Sequence, residues 1–294
     1  MSKLNILGIV KGIKAQTTYL TPIIEAVCNS IDSIGKRKNG SIDIVAIRDG
    51  QKGFDDNGDS SSCGSIVGFD IIDNGVGFTK TNRDSFDTYL SGHKYESGGK
   101  GFGRFMYLKY FQKVSVDSYY NIGEECWHRT FDFGHNQEII ENEKNELCQN
   151  KDIACKTTLH LKSAVKGYNA DKGLEVIARK LVERLLVFFV DTTQNMPIIT
   201  LKECDGSNPI ILNDFVGKNN TIQFVQEESF ELEDKRHAKQ QFTVKVYKVY
   251  FSPIANKVIL TAHRREVTNR PLHNYVPEFK ETLLDIENGK QKNY

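Results

Sequence analysis

A chain of 294 residues, 26% charged and 39% hydrophobic with a net charge of +1, can fill one large globular domain or two ordinary ones. So small a charge gives no global field for nucleic acid or a membrane surface, and the longest apolar run, Leu185 to Val190, is too short to cross a bilayer. Cys28, Cys63, Cys126, Cys148, Cys155 and Cys204 form no C-x-x-C pair and no zinc-type spacing, and Lys3, Lys11 and Lys14 interrupt any leader-like start, so a reduced, cytoplasmic protein is expected.

Residues 1 to 20 are mixed and short. The stretch from Pro22 to Asp32 then predicts a helix, with Pro22 at its first position and Thr21 as its cap. At 3.6 residues per turn, Glu25, Asn29 and Asp32 fall within an arc of about 60°. Ile23, Val27, Ile31 and Ile34 lie opposite, as on a helix packed against a core. Alone, this polar stripe could simply face water. A turn at Gly35 to Gly40 leads into a strand from Ser41 to Arg48. Asp49 to Gly64 is a long polar loop; its Asp55-Asp56-Asn57-Gly58-Asp59 run lacks the glycine and glutamate of a calcium loop. A second strand, Ser65 to Ile72, delivers Asp73 at its end.

Asp73-Asn74-Gly75-Val76-Gly77 reads blandly as an Asn-Gly turn. It also suits adenine recognition. An ionised carboxylate only accepts hydrogen bonds, so it fits an exocyclic amine and rejects a keto oxygen, while Gly75 and Gly77 allow close backbone approach. Residues 79 to 97 are polar. The run Gly98-Gly99-Lys100-Gly101-Phe102-Gly103-Arg104 then opens an apolar helical stretch to Phe111. Its backbone N–H groups and the helix start could hold phosphates, with Lys100 or Arg104 adding charge. It matches neither the Walker form nor the dinucleotide fingerprint.

These three stretches, in this order, resemble the GHKL ATPases: gyrase B-type topoisomerases, ninety-kilodalton heat-shock chaperones, sensor histidine kinases, MutL and MORC proteins. The resemblance covers about residues 15 to 190 and is closest in style to MORC-like members. Ser91-Gly92-His93-Lys94 is similar to the segment leading into their nucleotide lid, so Lys94 joins the implied nucleotide contacts. The resemblance implies an α+β, two-layer sandwich (the Bergerat ATP-binding fold) with a mixed, mainly antiparallel sheet, helices on one face, and ATP and Mg²⁺ as ligands. Glu25 would be the general base and Asn29 the metal ligand, with Asp32 orienting the nucleotide side. Asp73 would contact adenine, with Gly75 and Gly77 beside it. Gly99, Lys100, Gly101, Phe102, Gly103 and Arg104 would surround the phosphates. A later strand should carry a hydroxyl toward adenine: Thr157 in Thr157 to Lys162, or Cys155 in an alternative alignment.

Val114 to Tyr120 and Trp127 to Phe133 read as successive strands, Ile139 to Asp152 as a charged loop, and Gly173 to Val190 as one buried helix closing a first domain at 1–195. Residues 196–294 then read as a β-rich segment, with strand-like runs at Ile198 to Lys202, Ile210 to Phe215, Thr221 to Phe224 and Phe242 to Phe251. With Val258 to Val267 it resembles the opening of the family's transducer domain, and it is expected to be incomplete. Lys257 is a weak stand-in for the cation that this domain normally directs at the γ-phosphate. The cluster His263, Arg264, Arg265 and Arg270 suits either a solvated strand end or nucleic acid. The implied activity is slow ATP hydrolysis driving a nucleotide-dependent homodimer switch on DNA or a protein client, without a membrane. The alternatives are a chaperone-like remodeller and an ATP-binding sensor or scaffold without turnover.

Overall fold

A computed structural model describes residues 5–13, 17–50, 64–88, 103–135, 137–151, 153–190, 195–216, 221–233, 239–250, 256–262, 265–281, 283–284 and 290–292. The chain forms two compact units, Met1–Leu212 and Asn213–Tyr294. The first is α+β. Its helices are α1 (Ile6–Gly12), α2 (Thr21–Ile34), α3 (Lys80–Asp87), α4 (Phe105–Tyr110), α5 (Leu174–Arg184) and α6 (Leu186–Val190). Its strands are β1 (Ser41–Arg48), β2 (Ile66–Asp73), β3 (Phe111–Ile122), β4 (Glu125–Phe133), β5 (Ile140–Leu147), β6 (Lys156–Ala164), β7 (Ile198–Glu203) and β8 (Ile210–Ile211).

The eight strands run in the order β5-β4-β3-β6-β2-β1-β7-β8, and every neighbouring pair is antiparallel except β1 with β7. Strand alternation gives the sheet two unlike faces. Ile42, Ile44, Phe69, Ile71, Val114, Val116, Leu161, Ile199 and Leu201 are buried on one face. The other carries half-exposed pairs such as Asp70 with His160 (2.7 Å) and Asp43 with Lys202 (2.6 Å). Helix α2 packs against β1 and β2, burying Ile23, Val27, Ile31 and Ile34 as their spacing predicts. It ends at Gly35, whose φ of 60° only glycine adopts readily and whose N–H bonds Ile31 O at 2.9 Å. Thr21 does not cap this helix. It is the first helical residue, and its Oγ1 accepts the Thr18 N–H at 2.9 Å.

Several expectations are corrected. The polar stretch after Phe78 contains α3, which starts where the Thr79 side chain accepts the Asn82 N–H and is stitched by Lys80–Asp84 and Arg83–Asp87 pairs. The charged stretch from Ile140 is the edge strand β5, held by backbone pairing to β4 with only Ile140 buried. The helix expected over 173–190 is broken at Leu185 into α5 and α6. Ile210–Ile211 is a two-residue strand followed by a 3₁₀ turn, Leu212–Phe215, rather than one longer strand.

The domain boundary lies after Leu212 rather than at 195, because β7 pairs in parallel with β1. Arg48 at the end of β1 grips Glu203 on β7 through Nε (2.9 Å) and Nη2 (2.7 Å), with both side chains only 13% exposed. The second unit contains the antiparallel pairs β9 (Ile222–Leu232) with β10 (Gln240–Val249), β11 (Lys257–Ala262) with β12 (Arg265–Pro271), and β13 (Leu283–Leu284) with β14 (Gln291–Lys292). The run expected as Val258 to Val267 thus contributes to two antiparallel strands, β11 and β12, and His263 and Arg264 lie outside the described residues. Lys257 opens β11, and Arg270 pairs with Val258.

The Arg48–Glu203 pair gives a stability test. Breaking a largely buried ion pair strands the remaining charge, so Arg48→Ala should cost about 3 kcal/mol in urea unfolding. The double variant Arg48→Ala/Glu203→Ala should cost less than the sum of the single changes. Strict additivity would show that the pair does not tie β7 to the first sheet.

Candidate functional site

One row across the buried face of the sheet organises the site. The registers place Asp73 on β2 opposite Thr157 on β6, Thr157 opposite Ser118 on β3, and Ser118 opposite Arg129 on β4. All four side chains are buried. Asp73 Oδ2 accepts the Ser30 hydroxyl from α2 at 2.8 Å, and Oδ1 accepts the Gly75 N–H at 2.8 Å. Both partners are neutral, and Arg37 acts on the carboxylate through space. Burial is the largest influence and lifts the Asp73 carboxyl from the ordinary carboxylate range to about 6.

The turn after Asp73 is wedged between α2 and β3. A Cβ on Gly75 would stand 2.2 Å from Ser33 Oγ, and one on Gly77, at φ +76°, would stand 2.8 Å from Tyr120 Cβ. No side chain fits at either place. Val76 N–H bonds Ser33 O at 3.2 Å, and Arg37 Nη1 donates to the carbonyls of Asn74 (2.8 Å) and Gly75 (3.2 Å). On the far side Ser118 Oγ accepts the Phe78 N–H at 3.0 Å and meets Thr157 Oγ1 at 2.9 Å, while Arg129 Nη1 donates to Phe78 O at 2.8 Å. Thr157, not Cys155, therefore stands directly across from Asp73.

Glu25 and Asn29 lie half-buried on α2, and Asp32 is exposed at its end. A Cβ on Gly103 would come within 2.1 Å of Glu25 Oε2, so the end of the glycine run rests on that carboxylate. Asn29 Nδ2 donates to the hydroxyl of Tyr107 at 3.0 Å, which leaves the amide oxygen as an acceptor. Tyr107 is fully buried on α4; burial first, and then the Glu25 charge, raise its hydroxyl above the ordinary tyrosine value. Glu25, Asn29 and Gly103 thus meet at the α2–α4 contact.

Arg104 is placed differently from a phosphate ligand. Its guanidinium donates to Ser85 O (3.0 Å) and Thr88 O (2.6 Å) and lies over the rings of Phe86 and Phe105. Burial lowers its pKa to about 10, and it ties the end of α3 to the start of α4. Helix α4 has only six residues, so its end field is small. Lys94, Gly99, Lys100, Gly101 and Phe102 lie outside the described residues.

Ser30, Ser118, Tyr107 and Arg129 belong to the site but were not among the residues expected from sequence. Ser30 and Ser118 carried a usable signal, since each is a lone hydroxyl at a position that helix or strand periodicity turns toward the core. Tyr107 and Arg129 acquire their roles only from tertiary contacts.

No family model matches the sequence, and no curated protein matches it. Among solved structures, the crystal structure of the N-terminal domain of a DNA repair protein is similar at 14% identity and a TM-score of 0.47, over 90% of this chain and 78% of that one.

The buried carboxyl sets a pH dependence. A folded-state pKa raised above the unfolded value contributes stability that is present below the unfolded pKa, near 4, and is lost as pH rises through about 6. Asp73→Asn removes the titration while keeping the shape, and the Ser30 hydroxyl can rotate to accept from the new amide. Relative to Asp73→Asn, the wild type should lose roughly 3 kcal/mol between pH 4 and pH 7.5 in paired urea titrations. A constant difference across that range would refute the raised carboxyl.

Proposed function

We propose that the unit Met1–Leu212 binds ATP with Mg²⁺ and hydrolyses it slowly, as a GHKL-type ATPase does. The observation that carries this reading is the buried Asp73 carboxylate, held by the neutral Ser30 and Gly75 donors beside a turn pressed against its neighbours at two glycines. Burying such a group without a cation costs free energy unless further donors satisfy it. An adenine amine is such a donor, and the Ser118–Thr157 hydroxyl pair in the same row suits the rest of a purine edge.

The residues at the α2–α4 contact fit a triphosphate and its metal. Among the described residues no group of three His, Cys, Asp or Glu could hold a metal ion. Mg²⁺ takes few protein oxygens and completes its shell with phosphates and water. Asn29 supplies an amide oxygen, oriented by the Tyr107 hydrogen bond, and Glu25 supplies a carboxylate to take a proton from water. ATP brings the anhydride to be cleaved, and Mg²⁺ neutralises its phosphate charge. Asp32 lies at the exposed end of the same helix and assists from the nucleotide side. The cycle would act as a switch, with nucleotide favouring a homodimer that holds DNA or a protein client; sedimentation with and without a non-hydrolysable ATP analogue tests that part.

Calorimetry and steady-state turnover test the core of the reading. Asp73→Asn should weaken Mg·ATP binding at least about tenfold, because an amide replaces an acceptor-only group opposite a donor. Wild-type affinity should also fall as pH drops below about 6, where Asp73 becomes protonated. Equal affinity in the variant would sink the adenine role. Glu25→Ala should lose turnover with affinity kept within a few-fold, as removal of a base acts on the chemical step.

Gly103→Ala gives a separate test. Its methyl meets the end of the flexible Glu25 side chain, so the melting temperature should hold while turnover drops roughly tenfold through a displaced carboxylate. Full activity in Gly103→Ala would detach Glu25 from the chemistry.

A further inference from the structure

Away from this site, three cysteines converge where β4, β5 and β6 begin or end. Cys126 is the second residue of β4 and is 1% exposed, Cys148 directly follows β5, and Cys155 directly precedes β6. Cys148 N–H bonds Cys126 O at 2.8 Å, one rung beyond the Trp127–Leu147 pair, so the two cysteines face each other across an antiparallel ladder. Their thiols are in contact, with Cys126 Sγ donating to Cys148 Sγ at 3.2 Å. Opposed residues of such a ladder lie about 4.5–5.5 Å apart at Cα, inside the roughly 4.4–6.8 Å that a disulfide spans. The backbone spacing of such a pair is therefore one that a disulfide can bridge. Cys155 is near enough to act on the Cys126 thiol electrostatically.

We propose that Cys126 and Cys148 are a redox-active pair that closes to an intramolecular disulfide when the protein meets a peroxide. Cys148 is the half-exposed member and reacts first. Its thiolate sulfur attacks one peroxide oxygen, the O–O bond breaks, and one water leaves with the thiol proton, giving a sulfenic acid on Cys148. The Cys126 sulfur then attacks that sulfur, the S–O bond breaks, and the hydroxyl leaves as a second water with the Cys126 proton. The two sulfurs each lose one electron, and the peroxide gains two. Burial, followed by the neighbouring Cys148 thiol, pushes the Cys126 thiol up to about 11, so Cys126 carries its proton into the second step and gives it up to the departing hydroxyl. The bond would lock the end of β5 to β4, and with it the strand whose Asn145 and Glu143 hold Tyr120 and Arg83.

Hydrogen peroxide added to the reduced full chain, followed by alkylation and peptide mapping, tests the proposal. A linked Cys126–Cys148 peptide is expected, formed at the expense of the two free thiols and faster than oxidation of the exposed Cys204. Cys126→Ser should stop the reaction at an oxidised Cys148, and Cys155→Ser should leave the linked peptide in place. Cys148 oxidised without crosslinking in the wild type would overturn the pair, and so would a Cys126–Cys155 bond as the main product. Fully alkylated Cys126 and Cys148 after Cys204 has oxidised would overturn it as well.

Discussion

Asp73 is the point at which helix, strand and turn are made to agree. Its carboxylate takes the Ser30 hydroxyl from α2 on one oxygen and the Gly75 N–H of its own turn on the other. Each bond fixes a different element: one sets how α2 rides on β2, the other starts the tight turn. With those positions set, Gly75 must lie against Ser33 and Gly77 against Tyr120, since neither gap admits a Cβ. Both faces of the turn are therefore occupied, by α2 and by β3. Loss of either hydrogen bond would leave a buried charge under-satisfied, a larger penalty than loss of an ordinary surface contact.

The support for this arrangement is aromatic and lies one step away. Phe78, Phe86, Phe131, Phe133 and Phe105 form a chain of ring contacts with centroids 5.2–5.6 Å apart, running from the turn through α3 and β4 to α4. Arg104 lies over two of these rings and bonds the last carbonyls of the α3 region. Arg129 lies over Tyr120 and bonds the carbonyl of Phe78. Two buried arginines thus act as struts. Their guanidiniums satisfy backbone oxygens that have left regular structure, while their flat faces cover apolar rings. The residues flanking 89–102 are held together by this cluster, so Gly103 reaches Glu25 from a fixed base.

How much of this was readable from sequence depends on where the information resides. The α2 periodicity, the strand before Asp73 and the glycines after it are local patterns, and each appears where its spacing places it. Helix α3 was missed because its single strong apolar anchor, Phe86, finds its partners 45 and 47 residues later, at Phe131 and Phe133. Strand β5 was missed because an edge strand needs only backbone pairing, and its Glu and Lys residues resemble a loop while protecting the open edge. The boundary after Leu212 could not be read from composition, since β7 joins the first sheet through a parallel pairing with a strand some 150 residues earlier. Arg104 has the same lesson in reverse: a cation at the end of a glycine run suggests phosphate, yet two carbonyls and two rings claim it.

The places where local rules are broken coincide with the row across the sheet. A carboxylate at a buried strand end, hydroxyls on inward positions of β3 and β6, and an arginine on an inward position of β4 each replace an apolar residue that the rest of that face uses. Residues such as Ile71, Val116 and Leu161 show what packing alone selects there. A row of four polar side chains could have been built from four isoleucines at lower cost in desolvation. Ser118 meets Thr157 and the Phe78 N–H, and Arg129 donates to the Phe78 carbonyl, while the direct hydrogen bonds to Asp73 come from the neutral Ser30 and Gly75. Polar groups gathered in one row of this face mark positions that packing alone did not select, and the carboxyl raised to about 6 by burial records the desolvation cost of one of them.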